Sequence, residues 1–523
     1  MPDGAWACQR RKRPVELFQY LPEVLSGWNL VILIVGTVVG LLLGATPGLS
    51  PTMAVALLIP FTFQMDTSSG LILLGVIYTA TVAGGAVTAI LVNIPGSPAN
   101  IATMLDGHPM AKSGRATEAL HYCFISSGIG GVIGVLVLIF FTPLLADFAL
   151  GFGPSELFWI AILGITVIGS LGGTTVLKGL LAGAVGIWIS LIGFNPVAGT
   201  ERFMFTDHLQ GGVTIIPALI GLFAIPQVFQ MVEDARRGRG GKTFGMEHRP
   251  LWASIVYNLS RVRALGIGSV VGVLVGLIPG AGGQIAGLIA YDQNKKFSRN
   301  PEAYGKGEPD GVIASETSNS SMVGASLVPM LSLGIPGSPT AAVLLGGLLI
   351  QGLFPGPDLF TQHASVAWTF MGALLVSQVL MMVFGLYISR FSRYVIQIPK
   401  QHMAAAVAIL AVFGTYSVQN STSDVIIMMT MGCAMYFAMR FGFGPGPVVL
   451  GIILGPIAET NLLQGQMLGQ AMDGTFQYFF TGGVNLLLIF LCVLSIGYSV
   501  AAEFKVRARQ RRQSTGRTVE VES

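Results

Sequence analysis

The chain has 523 residues, of which 52% are hydrophobic and only 10% charged. Soluble domains carry about 25% charged residues, so a chain this poor in charge cannot cover its own surface in water, and a soluble globular protein is excluded. The net charge of +4 comes from basic residues between apolar runs and at the ends. These are Arg10–Arg13, Arg236 to Arg263, Arg390/Arg393/Lys400 and Lys505 to Arg517, a distribution that marks cytoplasmic loops under the positive-inside rule and not a nucleic-acid surface.

In chain order, residues 1–27 read as an N-terminal extension with an interfacial helix at Val15–Ser26. A first membrane repeat follows over 28–232, with apolar runs at Trp28–Thr46, Gly70–Val92, Gly128–Leu145 and Val213–Val232. A basic linker over 233–261 leads to a second repeat over 262–500, with runs at Trp368–Ile388 and Val484–Val500, and 501–523 is a basic tail. A spanning helix needs about 20 mostly apolar residues, which gives an all-α polytopic membrane protein with about 10–12 transmembrane helices, some of them broken or re-entrant. Cys8, Cys123, Cys433 and Cys492 lie far apart, without metal-ligand or disulfide spacing. No metal ligand set or catalytic residue is expected. His108 reads as a polar residue in a Gly-His-Pro turn, and Asp292–Asp310 as a loop.

The halves are a duplication. Gly36–Ala54 (GTVVGLLLGATPGLSPTMA) matches Gly268–Ala286 (GSVVGVLVGLIPGAGGQIA) at nine of nineteen positions, at an offset of 232. Ile94–Pro98 (IPGSP) recurs as Ile335–Pro339 at an offset of 241. A fainter echo pairs Gly151–Pro154 with Gly442–Pro445. Gly36, Gly40 and Gly44, and likewise Gly268, Gly272 and Gly276, fall on one helix face, as close packing in lipid requires.

Proline removes a backbone donor and glycine permits positive φ, so the Pro-Gly elements are expected to break helices. They contain Pro47, Gly48 and Ser50; Asn93, Pro95, Gly96, Ser97 and Asn100; Pro279 and Gly280; and Pro336, Gly337, Ser338 and Thr340. Broken helices at membrane depth strand unpaired N–H and C=O groups, which persist only where buried in protein or facing water. Paired breaks in two halves point to a carrier's binding site. The helix N-termini there suit an anion and the free carbonyls a cation. Between the breaks, Glu316, Ser318 and Asn319 belong to a dense polar patch. Glu316 is a candidate for proton or sodium coupling if it lies within a span; the competing placement is a water-filled helix mouth near Asp310.

The Pro47–Pro51 break, the Ile94–Pro98 motif with Ala102–Pro109 after it, Gly334–Pro339, Ala218–Pro226 (ALIGLFAIP) and Leu454–Asn461 (LGPIAETN) together resemble the large membrane subunit of the tripartite tricarboxylate transporters. The chain departs from that pattern in its basic N-terminal extension and in Ser50 and Gly282-Gly283. The resemblance implies a multi-pass permease of a bacterial inner membrane that takes up a small carboxylate. It also implies an ion gradient (Na+ or H+) with no cofactor, a small four-span membrane subunit and a periplasmic solute-binding protein. A channel or passive scaffold is the alternative. An intramembrane enzyme ranks below it, because Ser126-Ser127-Gly128 near His121 lacks a Gly-x-Ser-x-Gly elbow. Many duplicated carriers are inverted, yet basic residues precede the first glycine helix of both halves. That leaves either parallel repeats or an extra crossing in one half.

Overall fold

The computed structural model describes residues 17–171, 175–194, 200–204, 212–236, 250–278, 282–390, 400–471 and 474–497. In the first half the helices are α1 (Gly27–Gly44), α2 (Pro51–Thr62), α3 (Thr67–Val92), α4 (Ile101–Lys112), α5 (Ala116–Ala149), α6 (Pro154–Leu171), α7 (Val176–Ser190) and α8 (Ile215–Arg236). A two-residue ribbon pairs β1 (Gly193–Phe194) with β2 (Glu201–Arg202). Then come α9 (Leu251–Ser260), α10 (Val262–Leu277), α11 (Gly282–Lys296), α12 (Pro309–Leu333), α13 (Pro339–Ile350), α14 (Pro357–Thr361) and α15 (Ala364–Ile388). The last are α16 (Lys400–Gln419), α17 (Thr422–Arg440), α18 (Pro445–Ala471), α19 (Thr475–Phe480) and α20 (Gly483–Gly497).

Among the described residues, eight helices are long and apolar enough to cross a bilayer, or nine if the pair α9–α10, bent by 69°, counts as one span. The eight are α1, α3, α5, α8 and α15 to α18, and five further apolar helices have only 10–17 residues. Helix α12 is 25 residues long but is not one of the eight. It is buried along almost its whole length, so its polar patch faces protein. The chain forms two compact units. One is built from the segments ending at Gly151 and from Ile215 to Cys433, the other from Phe152 to Thr214 and from Ala434 onward. In the second unit, Pro154 and Pro445 of the faint echo each open a helix, at the first-turn position where proline's missing N–H costs nothing.

In the first unit the duplication is geometric as well as sequential. Gly36, Gly40 and Gly44 lie against α3 at Leu73/Val76, Ile77/Ala80 and Thr81/Gly84. Gly268, Gly272 and Gly276 lie against α12 at Ala314/Thr317, Ser318/Ser321 and Met322/Ala325. Every one of these six partners repeats at the offset of 241, and every glycine at 232. Part of the nine-residue difference lies in the polar stretch of the second half. Its first residues, Asp292–Lys296, extend α11 instead of forming loop, so the connection proper is shorter than the composition suggested.

Contact register gives the sense of each half. Gly75 lies against Phe370 and Leu374, and Thr79 Oγ1 is 3.5 Å from Ser377 Oγ, so α3 and α15 run parallel. Gly130 meets Thr317 and Gly134 meets Ser321, so α5 and α12 run parallel. Phe124 meets Gly385, Gly128 meets Met382 and Gly131 meets Gln378, so α5 and α15 are antiparallel. Helices α3 and α12, which carry the duplicated motif, therefore point in opposite directions, and the repeats are inverted. Of the basic residues that argued otherwise, Arg10–Arg13 lie outside the described residues, and Arg261 and Arg263 stand at the bend into α10.

Candidate functional site

Each of the two IPGSP breaks begins with a left-handed residue. Helix α3 ends at Asn93 (φ 57°) and α12 at Gly334 (φ 74°). Asparagine and glycine tolerate that conformation where other residues are strained. The chain then doubles back: Gly96 N donates to Gly85 O (3.2 Å) and Gly337 N to Ser326 O (3.3 Å). The return brings the motif level with a point about two turns before the helix end. At Gly96 a side chain would strike Gly85 and the carbonyl of Gly44, and at Gly337 it would strike Ser326 and the carbonyl of Gly276. Close backbone approach is why glycine stands at both. New helices start from these returns. Ser338 caps α13 by accepting from Ala341 N (3.1 Å), and Ser50 likewise caps α2 through Met53 N (3.3 Å).

Reciprocal contacts cross between the halves. Thr52 and Thr340 hydroxyls are 2.8 Å apart, joining the starts of α2 and α13. Tyr78 reaches from α3 to Ser338, with its hydroxyl 2.8 Å from Oγ. On the other side, Gly287 of α11 lies against Ala99 and Ala102. The residue of α12 equivalent to Tyr78 is Asn319, which is 0% exposed and has neither amide atom hydrogen-bonded. Buried polar side chains almost always find partners. Ser318 Oγ and Thr81 Oγ1 are buried and unpaired as well.

Glu316, one turn before Asn319 on the same helix face, is also 0% exposed. It lies inside the protein and not at a wet mouth. Its carboxyl accepts from Thr103 Oγ1, from Ser127 Oγ (2.9 Å) and from Asn100 Nδ2 (3.4 Å). Asn100 also donates to Val82 O (3.4 Å) and accepts from Ser97 Oγ (2.7 Å). The first-half break thus meets the second-half polar patch through Ser97, Asn100 and Glu316.

Pro47 is buried, Gly48 takes φ 95° beside Met231, Asn93 is exposed and Pro95 and Ser50 are half-buried. Pro336 is buried. Pro279 and Gly280 lie outside the described residues. Sequence reading missed Thr103, Ser127, Tyr78 and Thr52. Thr103 had a signal, since Asn100 and Thr103 are one turn apart.

Asp106 closes the same end. Its Oδ1 accepts from the backbone N–H groups of Gly305, Gly307 and Glu308 (2.8–2.9 Å), and Oδ2 from Tyr291 Oη (2.8 Å). Nearby, burial pushes the Tyr304 hydroxyl up to about 12. His108, expected in a turn, is helical and buried, with Nδ1 3.0 Å from Ile90 O. The Gly-His-Pro triplet is helical, with Gly107 packed directly on Ile90. Around the serines, His121 Nδ1 pairs with Ser254 Oγ (3.2 Å), Asn258 donates to Ser126 Oγ (2.9 Å) and Ser127 serves Glu316. Among the described residues no group of three or more His, Cys, Asp and Glu is placed to hold a metal ion.

The sequence profile of the tripartite tricarboxylate transporter TctA family matches residues 30–450. The chain belongs to this TctA family. It is similar to the uncharacterized 52.8 kDa protein in the TAR-I ttuC' 3'region of Agrobacterium vitis, with 32% identity over 448 residues, covering 85% of this chain and 88% of that protein. A second A. vitis relative, the uncharacterized protein in the TAR-II ttuC' 3'region, is 31% identical over 199 residues, 38% of this chain and 82% of its own length. TctA membership makes this chain a multi-pass membrane protein of a transporter family.

Proposed function

We propose that this TctA protein is the large permease subunit of a tripartite secondary transporter of a bacterial inner membrane. It takes up a small carboxylate delivered by an extracytoplasmic solute-binding protein, alongside a small four-span membrane subunit. The observation that carries the reading is Asn319, a fully buried amide with no partner, placed where its repeat mate Tyr78 contacts the facing break. Helix starts after such breaks offer free N–H groups and a positive dipole end to an anion, and inverted repeats with broken helices hold carrier sites near the bilayer midplane. Glu316 takes the coupling ion. A buried carboxyl with neutral hydroxyl and amide neighbours is costly as a bare charge, and binding H+ or Na+ neutralises it. No cofactor takes part.

The test is uptake into proteoliposomes carrying the membrane subunits with the binding protein outside, driven in turn by Na+ and pH gradients. Saturable, gradient-stimulated uptake distinguishes a carrier from a channel or scaffold. Wild-type uptake by Asn319→Ala and Glu316→Gln together would remove the site assignment.

A further inference from the structure

Away from that site, the first unit carries a second polar feature where α5, α10 and α12 begin. Arg115, Arg261, Arg263 and Arg299 line a cleft of about 560 Å³ with Glu308 and Asp310. Four guanidinium groups face two carboxylates there, so the lining has a surplus of positive charge. Asp310 is shared between Arg261 (3.3 Å) and Arg263 (3.4 Å), and Arg115 pairs with Glu118 (2.9 Å). Among the described residues no ion pair includes Arg299, which is exposed, and the buried Arg261 Nε faces Asp310 Oδ1 at 3.3 Å without hydrogen-bond alignment.

The cleft sits among features of a membrane interface. Helix α9 bends 69° away from α10. It exposes Trp252 (72%), Val256 (51%) and Leu259 (53%) on one face, while Ser254 and Asn258 on the other bind α5. A short amphipathic helix with a tryptophan on its apolar face lies in the plane of the headgroups. Next along α10 lies a separate, mostly apolar groove of about 320 Å³, lined by Gly266, Ile267, Val270, Val271, Gln293 and Phe297. Arg263 joins the two, donating to Phe297 O at 2.6 Å.

We infer that this cleft and groove hold an anionic phospholipid, its phosphate on Arg261, Arg263 and Arg299 and one acyl chain along Gly266–Val271. Charge selects the headgroup, because a zwitterionic lipid brings its own cation into an already positive cleft. The groove selects a lipid over a soluble anion, which has nothing to place there. Basic pockets at the cytoplasmic side meet acidic lipids in this way, and Arg261 and Arg263 belong to the segment that the positive-inside rule assigns to that side.

The experiment uses the full chain in nanodiscs and in detergent for native mass spectrometry, with dioleoylphosphatidylglycerol, dioleoylphosphatidylcholine and inorganic phosphate as probes. Phosphatidylglycerol should be retained at least tenfold more strongly than phosphatidylcholine. Arg263→Gln with Arg299→Gln should remove most of that preference, and Arg299→Gln alone, at an exposed and unpaired position, should lower it without any folding defect. Val270→Trp should weaken phosphatidylglycerol while leaving phosphate unaffected, and Lys296→Gln, outside the cleft, should change neither. Equal retention of the two lipids, or a preference untouched by Arg299→Gln and Val270→Trp, overturns the inference. Phosphate binding as tight as that of phosphatidylglycerol also overturns it, in favour of a soluble anion.

Discussion

Tyr78 and Asn319 hold the same position in two inverted repeats, and only Tyr78 hydrogen-bonds to the break in front of it, its hydroxyl 2.8 Å from Ser338 Oγ. The tyrosine fills its side of the pseudo-symmetric centre, whereas the shorter amide leaves its own side with unsatisfied donors and acceptors. A carrier needs one cargo site and not two, and on the proposed reading the first-half break, facing Asn319, is the one left for cargo. We expect Asn319→Tyr to supply the missing contact with the first-half break, preserve the fold and reduce uptake at least tenfold. Tyr78→Phe should lower thermal stability by about 1 kcal/mol, the worth of a typical hydrogen bond, and affect uptake much less. Uptake assays paired with thermal-shift measurements separate the two effects; equal uptake losses in both variants would contradict the asymmetry.

Glu316 tests the coupling. Glu316→Gln keeps the shape and most of the contacts with Thr103, Asn100 and Ser127 but cannot exchange an ion. The expected outcome is loss of stimulation by the imposed gradient, with substrate counterflow between equal ion concentrations retained. Thr103→Val should fall between wild type and Glu316→Gln, and a variant that still responds fully to the gradient would place the coupling elsewhere.

The duplication, the glycine faces and the breaks were legible because each is a local backbone demand: a Cβ does not fit at Gly44 or Gly272 against the facing helix, and residue type alone carries that message. Inversion was not legible, because matching sequences have no direction until Gly75–Phe370 and Phe124–Gly385 contacts supply one. The Glu316 cluster was half legible. The carboxylate stands out within its polar patch, but its partners lie more than 180 residues away, beyond any local pattern. Asp106 gave no sign of its role, since its partners are the Tyr291 hydroxyl and backbone groups of a distant loop.

The glycine faces separate by position. At Gly272 a methyl group would collide with Ser318 O and Ser321 Oγ, whereas at Gly266 it would meet nothing within 4 Å. Overpacking costs about 1–3 kcal/mol, and Gly→Ala in an open helical position gains about 0.5–1 kcal/mol. Gly272→Ala should therefore lower the melting temperature while Gly266→Ala holds or raises it. Equal shifts for both would show that the α10–α12 contact is looser than the packing indicates.

Asp106 ties the loop before α12 to α4, and hydrogen bonds to a charged acceptor are worth about 1.5–3 kcal/mol. Asp106→Ala should free the loop, so that trypsin cuts after Lys306 many times faster than in wild type. Asp106→Asn, which keeps an acceptor but not the charge, should be intermediate. Unchanged cleavage in Asp106→Ala would mean that the loop is held by other contacts.

Glu308 gives the arginine cleft a pH dependence with a definite sign. Burial, reinforced by the carboxylates of Asp310 and Asp106, raises its pKa above the ordinary glutamate value, and the backbone N–H of Asp310 and then the Arg261 guanidinium oppose this only in part. The groups facing it are Arg115, Arg261, Arg263, Arg299 and Asp310 across the cleft, with Tyr257 beside Arg261 and Asp106 behind the backbone. A carboxyl with a raised folded-state pKa is neutral below that value, and its favourable contribution is lost as pH rises through it. The cleft is then most positive at low pH and loses one unit of positive charge as Glu308 ionises. Phosphatidylglycerol retention should fall as pH rises through a midpoint above the ordinary glutamate value, and Glu308→Gln should flatten that step while keeping the tighter, low-pH level of binding. A profile that is flat in wild type, or one that rises with pH, would show that Glu308 does not set the charge of the cleft.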